Sequence, residues 1–72
     1  MSPIRAGVVG VGHLGYHHAR NYAALDGVEL AGVSDIDAGR RTKAAGDFPA
    51  PAVPDVAKLV ALGVDAVSVA TP

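Results

Sequence analysis

Two hydrophobic patterns alternate along the chain, and the alternation predicts its elements. Ile4 to Val9 is an apolar run that ends at a glycine, which predicts a first strand. From His13 to about Leu25 the pattern becomes helical. Leu14, His18, Tyr22 and Leu25 recur at spacings of four, four and three, beside a stripe of small residues, Gly15, Ala19 and Ala23, that would let the helix sit close to a sheet. Asp26-Gly27 ends it, because glycine reaches the left-handed conformation favoured at a helix terminus. Val28 to Ser34 predicts a second strand with Asp35 at its end. A short helix over Asp37–Ala45 follows, capped by Asp37 and weakened by Gly39, which costs about 1 kcal/mol relative to alanine. The Pro- and Ala-rich stretch from Asp47 to Pro54 reads as a connector with a brief third strand near Ala52-Val53. Asp55 caps a further helix carrying Val56, Leu59, Val60 and Leu62, with Gly63 as its stop. Asp65 to Ala70 is the last strand.

Strands and helices in strict alternation, joined by right-handed crossovers, give an α/β fold: a βαβαβαβ parallel sheet of order 3-2-1-4. Composition agrees with it. Residues are 50% hydrophobic but only 4% aromatic, so the core must come from Val, Leu, Ile and Ala, as in parallel sheets covered on both faces. With 72 residues the chain is small for a domain, and it has no cysteine to staple it. A chain of this size buries only about 60% of the surface its unfolded form exposes, so its stability is expected to be marginal. Nothing in the sequence covers the outer side of the last strand. Residues 1–72 are therefore expected to be the N-terminal part of a larger fold, and prone to self-association through that edge on their own.

Charge narrows the partners. The net charge of −1 gives no electrostatic reason to expect nucleic acid or a membrane surface. No apolar run approaches 18 residues, and the start does not read as a signal peptide, so a cytoplasmic protein is expected.

The chemistry is concentrated in Gly10-Val11-Gly12-His13-Leu14-Gly15. This G-x-G-x-x-G follows a strand, opens a helix and has an acid beyond the next strand, the context that makes it a dinucleotide-binding fingerprint. Gly10 permits the tight turn, Gly12 lets a pyrophosphate approach the backbone, and Gly15 lets the helix pack on the strand. The N–H groups near His13 and Leu14 then point at the phosphates, where the helix dipole favours negative charge. Gly7 reads as a strand position that brings another backbone close. The competing reading is a turn that is glycine-rich for packing alone.

Asp35, 20 residues beyond Gly15, is placed to accept hydrogen bonds from the adenosine ribose and to repel the extra phosphate of NADP, which favours NAD. Arg40 and Arg41 lie near enough in sequence to swing toward a 2′-phosphate, so NADP stays open; Asp37 is the alternative ribose ligand. His13, His17 and His18 match no common zinc spacing, and structural or surface roles are expected for them. Ser68 lacks a G-x-S-x-G elbow and reads as a plain strand residue. Thr71 and Pro72 sit at the carboxyl end of a strand beside the first, where open α/β sheets bind ligands.

Three stretches resemble the Gfo/Idh/MocA oxidoreductases: Ile4 to Gly15, the run closing Gly32-Val33-Ser34-Asp35-Ile36-Asp37, and Val64-Asp65-Ala66-Val67-Ser68-Val69-Ala70-Thr71-Pro72. The resemblance implies a Rossmann domain followed by an α/β substrate domain that often supplies an oligomer interface. It implies hydride exchange between NAD(P) and a sugar, cyclitol or nucleotide-sugar hydroxyl or carbonyl. It places Gly10, Gly12, His13, Leu14 and Gly15 along the pyrophosphate, Asp35 on the adenosine ribose, and Ala70, Thr71 and Pro72 along the cofactor. The family's Glu-Lys-Pro motif, with its catalytic lysine, is expected beyond Pro72. Neither Lys43 nor Lys58 has that motif's neighbours, so no catalytic residue is assigned and these 72 residues alone are expected to be inactive. The alternatives are a non-catalytic nucleotide-binding module or sensor, and another Rossmann class using a flavin or S-adenosylmethionine.

Overall fold

The computed structural model describes residues 3–70. Strands β1 (Ile4–Val9), β2 (Val28–Ser34), β3 (Ala52–Val53) and β4 (Ala66–Val69) form one sheet of order β3-β2-β1-β4. Every pair is parallel. Helices α1 (His13–Ala24), α2 (Ala38–Asp47) and α3 (Val56–Val60) connect them. No helix among the described residues is long and apolar enough to cross a membrane.

One irregularity organises the sheet. Along β1 and β2 the partners run Ala6↔Leu30 and then Gly7↔Gly32, so Ala31 is passed over as a bulge. Side chains three apart on a regular strand point to opposite faces. The bulge restores them to one face, and Leu30 and Val33 join the same core with Val8, Val11, Ala19, Ala44 and Phe48. The opposite face is left to Gly7 and Gly32, which lie side by side. Their missing side chains make a slot for α3. A Cβ at Gly7 would stand 3.1 Å from the Leu59 side chain, and one at Gly32 would meet both Leu59 and Leu62. What approaches Gly7 is therefore a side chain, not the backbone expected from the sequence.

Leu59 is fully buried, whereas Val56 and Val60 of the same helix are about half exposed. With five residues, α3 is too short to bury more than one stripe. The helix α1 also turns differently from its leucine pattern. Leu14 and Leu25 are 60% and 52% exposed, and the buried positions are Gly15 and Ala19. Ala23, the third small residue, is exposed. A helix this close to a sheet has room only for small side chains at the contact, so the leucines are turned outward.

The caps behave as their residue types dictate. Asp37 accepts a hydrogen bond from the Arg40 N–H, and Asp55 accepts one from the Lys58 N–H, starting α2 and α3. The helix α2 runs two residues past Ala45, to Asp47. It is held there by Phe48, 7% exposed, whose ring lies 4.9 Å from that of Tyr16. At the amino end of the sheet, Arg5 gathers several partners. Its guanidinium donates to the Gly63 and Leu62 carbonyls at 3.0 and 2.8 Å and pairs with Glu29 at 2.8 Å. Its backbone exchanges hydrogen bonds with Asp65. Asp65 thus lies just before β4, which begins one residue later, at Ala66, and ends one residue earlier, at Val69, than the sequence predicts.

Candidate functional site

The site is built where β1 hands over to α1. Gly10 has φ +87°, in the left-handed region, and its N–H donates to the Ser34 carbonyl at 2.7 Å. The turn thereby stays pinned to the end of β2. Gly15 lies directly beneath it, and a Cβ there would fall inside the Gly10 carbonyl. Gly12 is the N-cap of α1 and offers no side-chain cap. A Cβ at Gly12 would meet only the Arg40 guanidinium, at 3.6 Å, so this position opens outward. The contrast with α2 and α3 is informative: those helices carry aspartate caps, and α1 presents its first turn bare.

The bare turn opens onto a cleft of about 620 Å³ at the carboxyl ends of the strands. Gly10, Gly12, His13 and Leu14 form one side of it, and Asp35, Ile36 and Arg40 another. Val69 and Ala70 close it from β4. The Ala70 N–H donates to the Val9 carbonyl at 2.9 Å, which aligns the end of β4 with the end of β1. Of the residues the sequence pointed to, Gly15 does not line the cleft. It sits under the turn and shapes it from below. Thr71 and Pro72 lie outside the described residues.

Asp35 stands beside Arg40 on the same wall of the cleft. Its side chain is only 5% exposed, and each carboxylate oxygen holds one backbone N–H. Val11 donates to Oδ2 at 2.9 Å and Asp37 donates to Oδ1 at 2.8 Å. Arg40 Nη1 stands 3.9 Å from Oδ2, and Arg41 donates to the Asp35 carbonyl at 2.8 Å. Burial pushes the carboxyl up. The N–H groups of Asp37 and Val11, with the two guanidinium groups behind them, outweigh burial and hold it below its ordinary value. Asp35 is thus an ionised acceptor at neutral pH that also ties the glycine turn to the start of α2.

Sequence reasoning did not single out the apolar lips of the cleft. Ile36 is 91% exposed and Val69 70%, facing the cleft with Leu14. The signal was present for Ile36: a large apolar residue directly after a strand-end acid has no core to enter. His13 and His17 have local partners. His13 and His17 stack edge to face, and His17 Nδ1 is hydrogen-bonded to Arg20 at 2.9 Å. No group of three or more potential metal ligands occurs among the described residues. Ser68 and the Tyr22 hydroxyl share a hydrogen bond that joins α1 to β4.

Comparison with known proteins places this geometry. The profile of the Gfo/Idh/MocA oxidoreductase family, described by its NAD-binding Rossmann fold, matches residues 4–72. The chain is 49% identical, over its whole length, to the UDP-N-acetylglucosamine 3-dehydrogenase of Acidithiobacillus ferrooxidans, of which it covers 22%. The solved structure of that enzyme superposes with a TM-score of 0.87, with 23% of that chain covered. GenD2 from gentamicin A biosynthesis, solved in complex with NAD, is 33% identical with a TM-score of 0.90; the match covers all of this chain and 21% of GenD2. The WlbA dehydrogenase from Bordetella pertussis, in complex with NADH and UDP-GlcNAcA, is 28% identical with a TM-score of 0.88, over 97% of this chain and 22% of WlbA. The chain thus spans about a fifth of the length of the relatives it matches. It belongs to the Gfo/Idh/MocA oxidoreductase family, as an NAD-binding Rossmann domain.

Proposed function

We propose that residues 1–72 are the N-terminal, cofactor-holding part of a dehydrogenase that acts on a sugar, cyclitol or nucleotide sugar, and that the cleft takes the adenosine diphosphate half of NAD. The observation that carries this reading is the uncapped first turn of α1 facing an ionised Asp35 across one cleft. A bare helix start attracts phosphate through its free N–H groups and its dipole. In this reading Gly10, Gly12, His13 and Leu14 contact the pyrophosphate, and Gly15 acts from beneath by letting the turn form. Ala70, with Thr71 and Pro72 after it, runs along the cofactor.

Asp35 suits the ribose on chemical grounds. A carboxylate offers about four lone-pair sites, and each oxygen has given one to a backbone N–H, so acceptor capacity remains for a hydroxyl. Leu14, Ile36 and Val69 supply apolar surface for flat ring systems at the rim of the cleft. When bound, the cofactor supplies hydride transfer; these residues bind and orient it.

The relatives support the substrate class, since one is a UDP-N-acetylglucosamine dehydrogenase and another was solved with UDP-GlcNAcA. In this reading the substrate site and a catalytic lysine belong to the larger part of the relatives' length that these residues do not span, so the 72-residue polypeptide should bind nucleotide but not turn over. The proposal includes a cytoplasmic protein that assembles as a homo-oligomer when full length. Titrating the full-length protein with NAD tests the cofactor assignment. Saturable binding that Gly12→Val abolishes is expected. Equal binding by the Gly12→Val variant, or a preference for FAD or S-adenosylmethionine, would overturn it.

A further inference from the structure

Helix α1 holds β4 as well as β1, and it does so along one stripe. Gly15, Ala19 and Tyr22 recur at spacings of four and three, on the face of α1 that meets the sheet. On β4, Ser68 stands beside Val8 in the parallel register, so it lies on the core face with Val8. Ala70, two residues on, shares that face. The helix meets both. The Tyr22 and Ser68 hydroxyls share a hydrogen bond, and the Ala70 Cβ stands 3.3 Å from where a Cβ on Gly15 would fall.

The two hydroxyls are not there for bulk. The Tyr22 ring packs against the core as a phenylalanine ring would, and the rest of β4 is Ala and Val. Replacing both partners of such a pair by apolar groups of the same shape is close to neutral for stability. What the directional bond adds is a single geometry. The ladder to β1 sets the register of β4 but leaves its twist to vary. Among the described residues, the Tyr22–Ser68 bond is the one side-chain hydrogen bond that ties β4 to α1.

That tie bears on the cleft, because Val69 and Ala70 close it. Asp35 follows β2, the glycine turn follows β1, and β4 is the next strand in the sheet. A nucleotide with its ribose at Asp35 and its pyrophosphate at the turn therefore runs on over the end of β4. We infer that Tyr22 is a positioning residue for the cofactor: through Ser68 its hydroxyl sets where the end of β4 stands, and so how tightly the part of NAD beyond the pyrophosphate is held. This deepens the proposed cofactor reading and rests on it. Without the tie the end of β4 samples several positions, and apparent affinity falls with the fraction in the right one. The net worth of one hydrogen bond limits that loss to about three- to ten-fold.

Calorimetric titration of the full-length protein with NAD and with ADP tests the inference. ADP reaches only Asp35 and the glycine turn, so it reports whether the fold and that half of the site are intact. Tyr22→Phe and Ser68→Ala should each weaken NAD by about three- to ten-fold while ADP stays within about two-fold of wild type. Ser68→Thr keeps the hydroxyl and should restore most of what Ser68→Ala loses. The double variant Tyr22→Phe/Ser68→Ala should be no weaker than either single one, since both remove the same bond. Unchanged NAD affinity, equal losses for NAD and ADP, or losses that multiply in the double variant would overturn the inference while leaving the NAD site standing. A wild-type protein that binds neither nucleotide would remove the cofactor reading itself, and this inference with it.

Discussion

Removing the Asp35 carboxylate should destabilise the fold itself. In Asp35→Ala two backbone N–H groups lose their acceptor. The bond from Val11 is buried, so its N–H bears the full penalty, about 1–3 kcal/mol. The bond from Asp37 is partly buried, so water replaces much of it. Relief of the carboxylate's own desolvation offsets a fraction. The net loss is about 2–3 kcal/mol, out of roughly 4–11 kcal/mol expected for a domain this small. At about 4–8 °C per kcal/mol, the midpoint of thermal unfolding should fall by about 8–24 °C. Asp35→Asn keeps one acceptor and should lose less. The folded-state pKa of Asp35 is lowered, so its stabilisation is complete above the unfolded value near 3.8 and is lost as pH falls through the folded value. Wild type should therefore lose stability in acid more steeply than Asp35→Asn. Calorimetric unfolding between pH 3 and 7, with hydrogen exchange at the Val11 amide, measures both effects. An Asp35→Ala variant within 0.5 kcal/mol of wild type, with Val11 still protected, would refute the claim that this carboxylate holds the turn.

Three further outcomes follow from the packing. Gly15→Ala should cost more than the usual 1–3 kcal/mol of overpacking, because the new Cβ meets the Gly10 carbonyl rather than a yielding side chain. Gly27→Ala is the control: it has open space and φ +79°, should cost about 1–2 kcal/mol, and a Gly15 variant no worse in urea unfolding would contradict the geometry. Leu59→Ala should lose about 2–5 kcal/mol, and Gly7→Ala should be better tolerated in that background than in wild type; strictly additive losses would rule out the shared slot. The 72-residue polypeptide should self-associate through β4, whose Val67 and Val69 are 40% and 70% exposed; sedimentation as a monomer at all concentrations would count against this.

Much of the architecture was legible because its signals are local. The three longer strands begin and end at changes in hydrophobic run, and two aspartates mark helix starts by offering an oxygen where the first N–H groups need one. The glycine turn was legible for the same reason, since the need for φ > 0 at Gly10 is a property of one residue. What stayed hidden depends on neighbours distant in sequence. Leu30 and Ala31 are both apolar and 5% exposed, so no alternation betrays the bulge between them. The outward turn of Leu14 and Leu25 follows from the closeness of α1 to the sheet, which a helical period cannot report. Asp35 was readable as an acid at the right place. Its hold on Val11 and Asp37 was not, because that requires the end of β2 to lie beside the turn after β1.

Arg5 has a consequence for how such a domain diversifies. Its guanidinium gathers the end of α3 and the edge of β2 at the amino side of the sheet, while the cleft opens at the carboxyl side. Four residue steps along β1, roughly 13 Å, separate Arg5 from Val9 at the cleft. That exceeds the 7–10 Å or so within which substitutions usually couple. The two ends can therefore drift under separate selection. One end keeps the sheet registered; at the other, residues that only line the cleft, as the exposed Leu14, Ile36 and Val69 do, can vary without disturbing that registration.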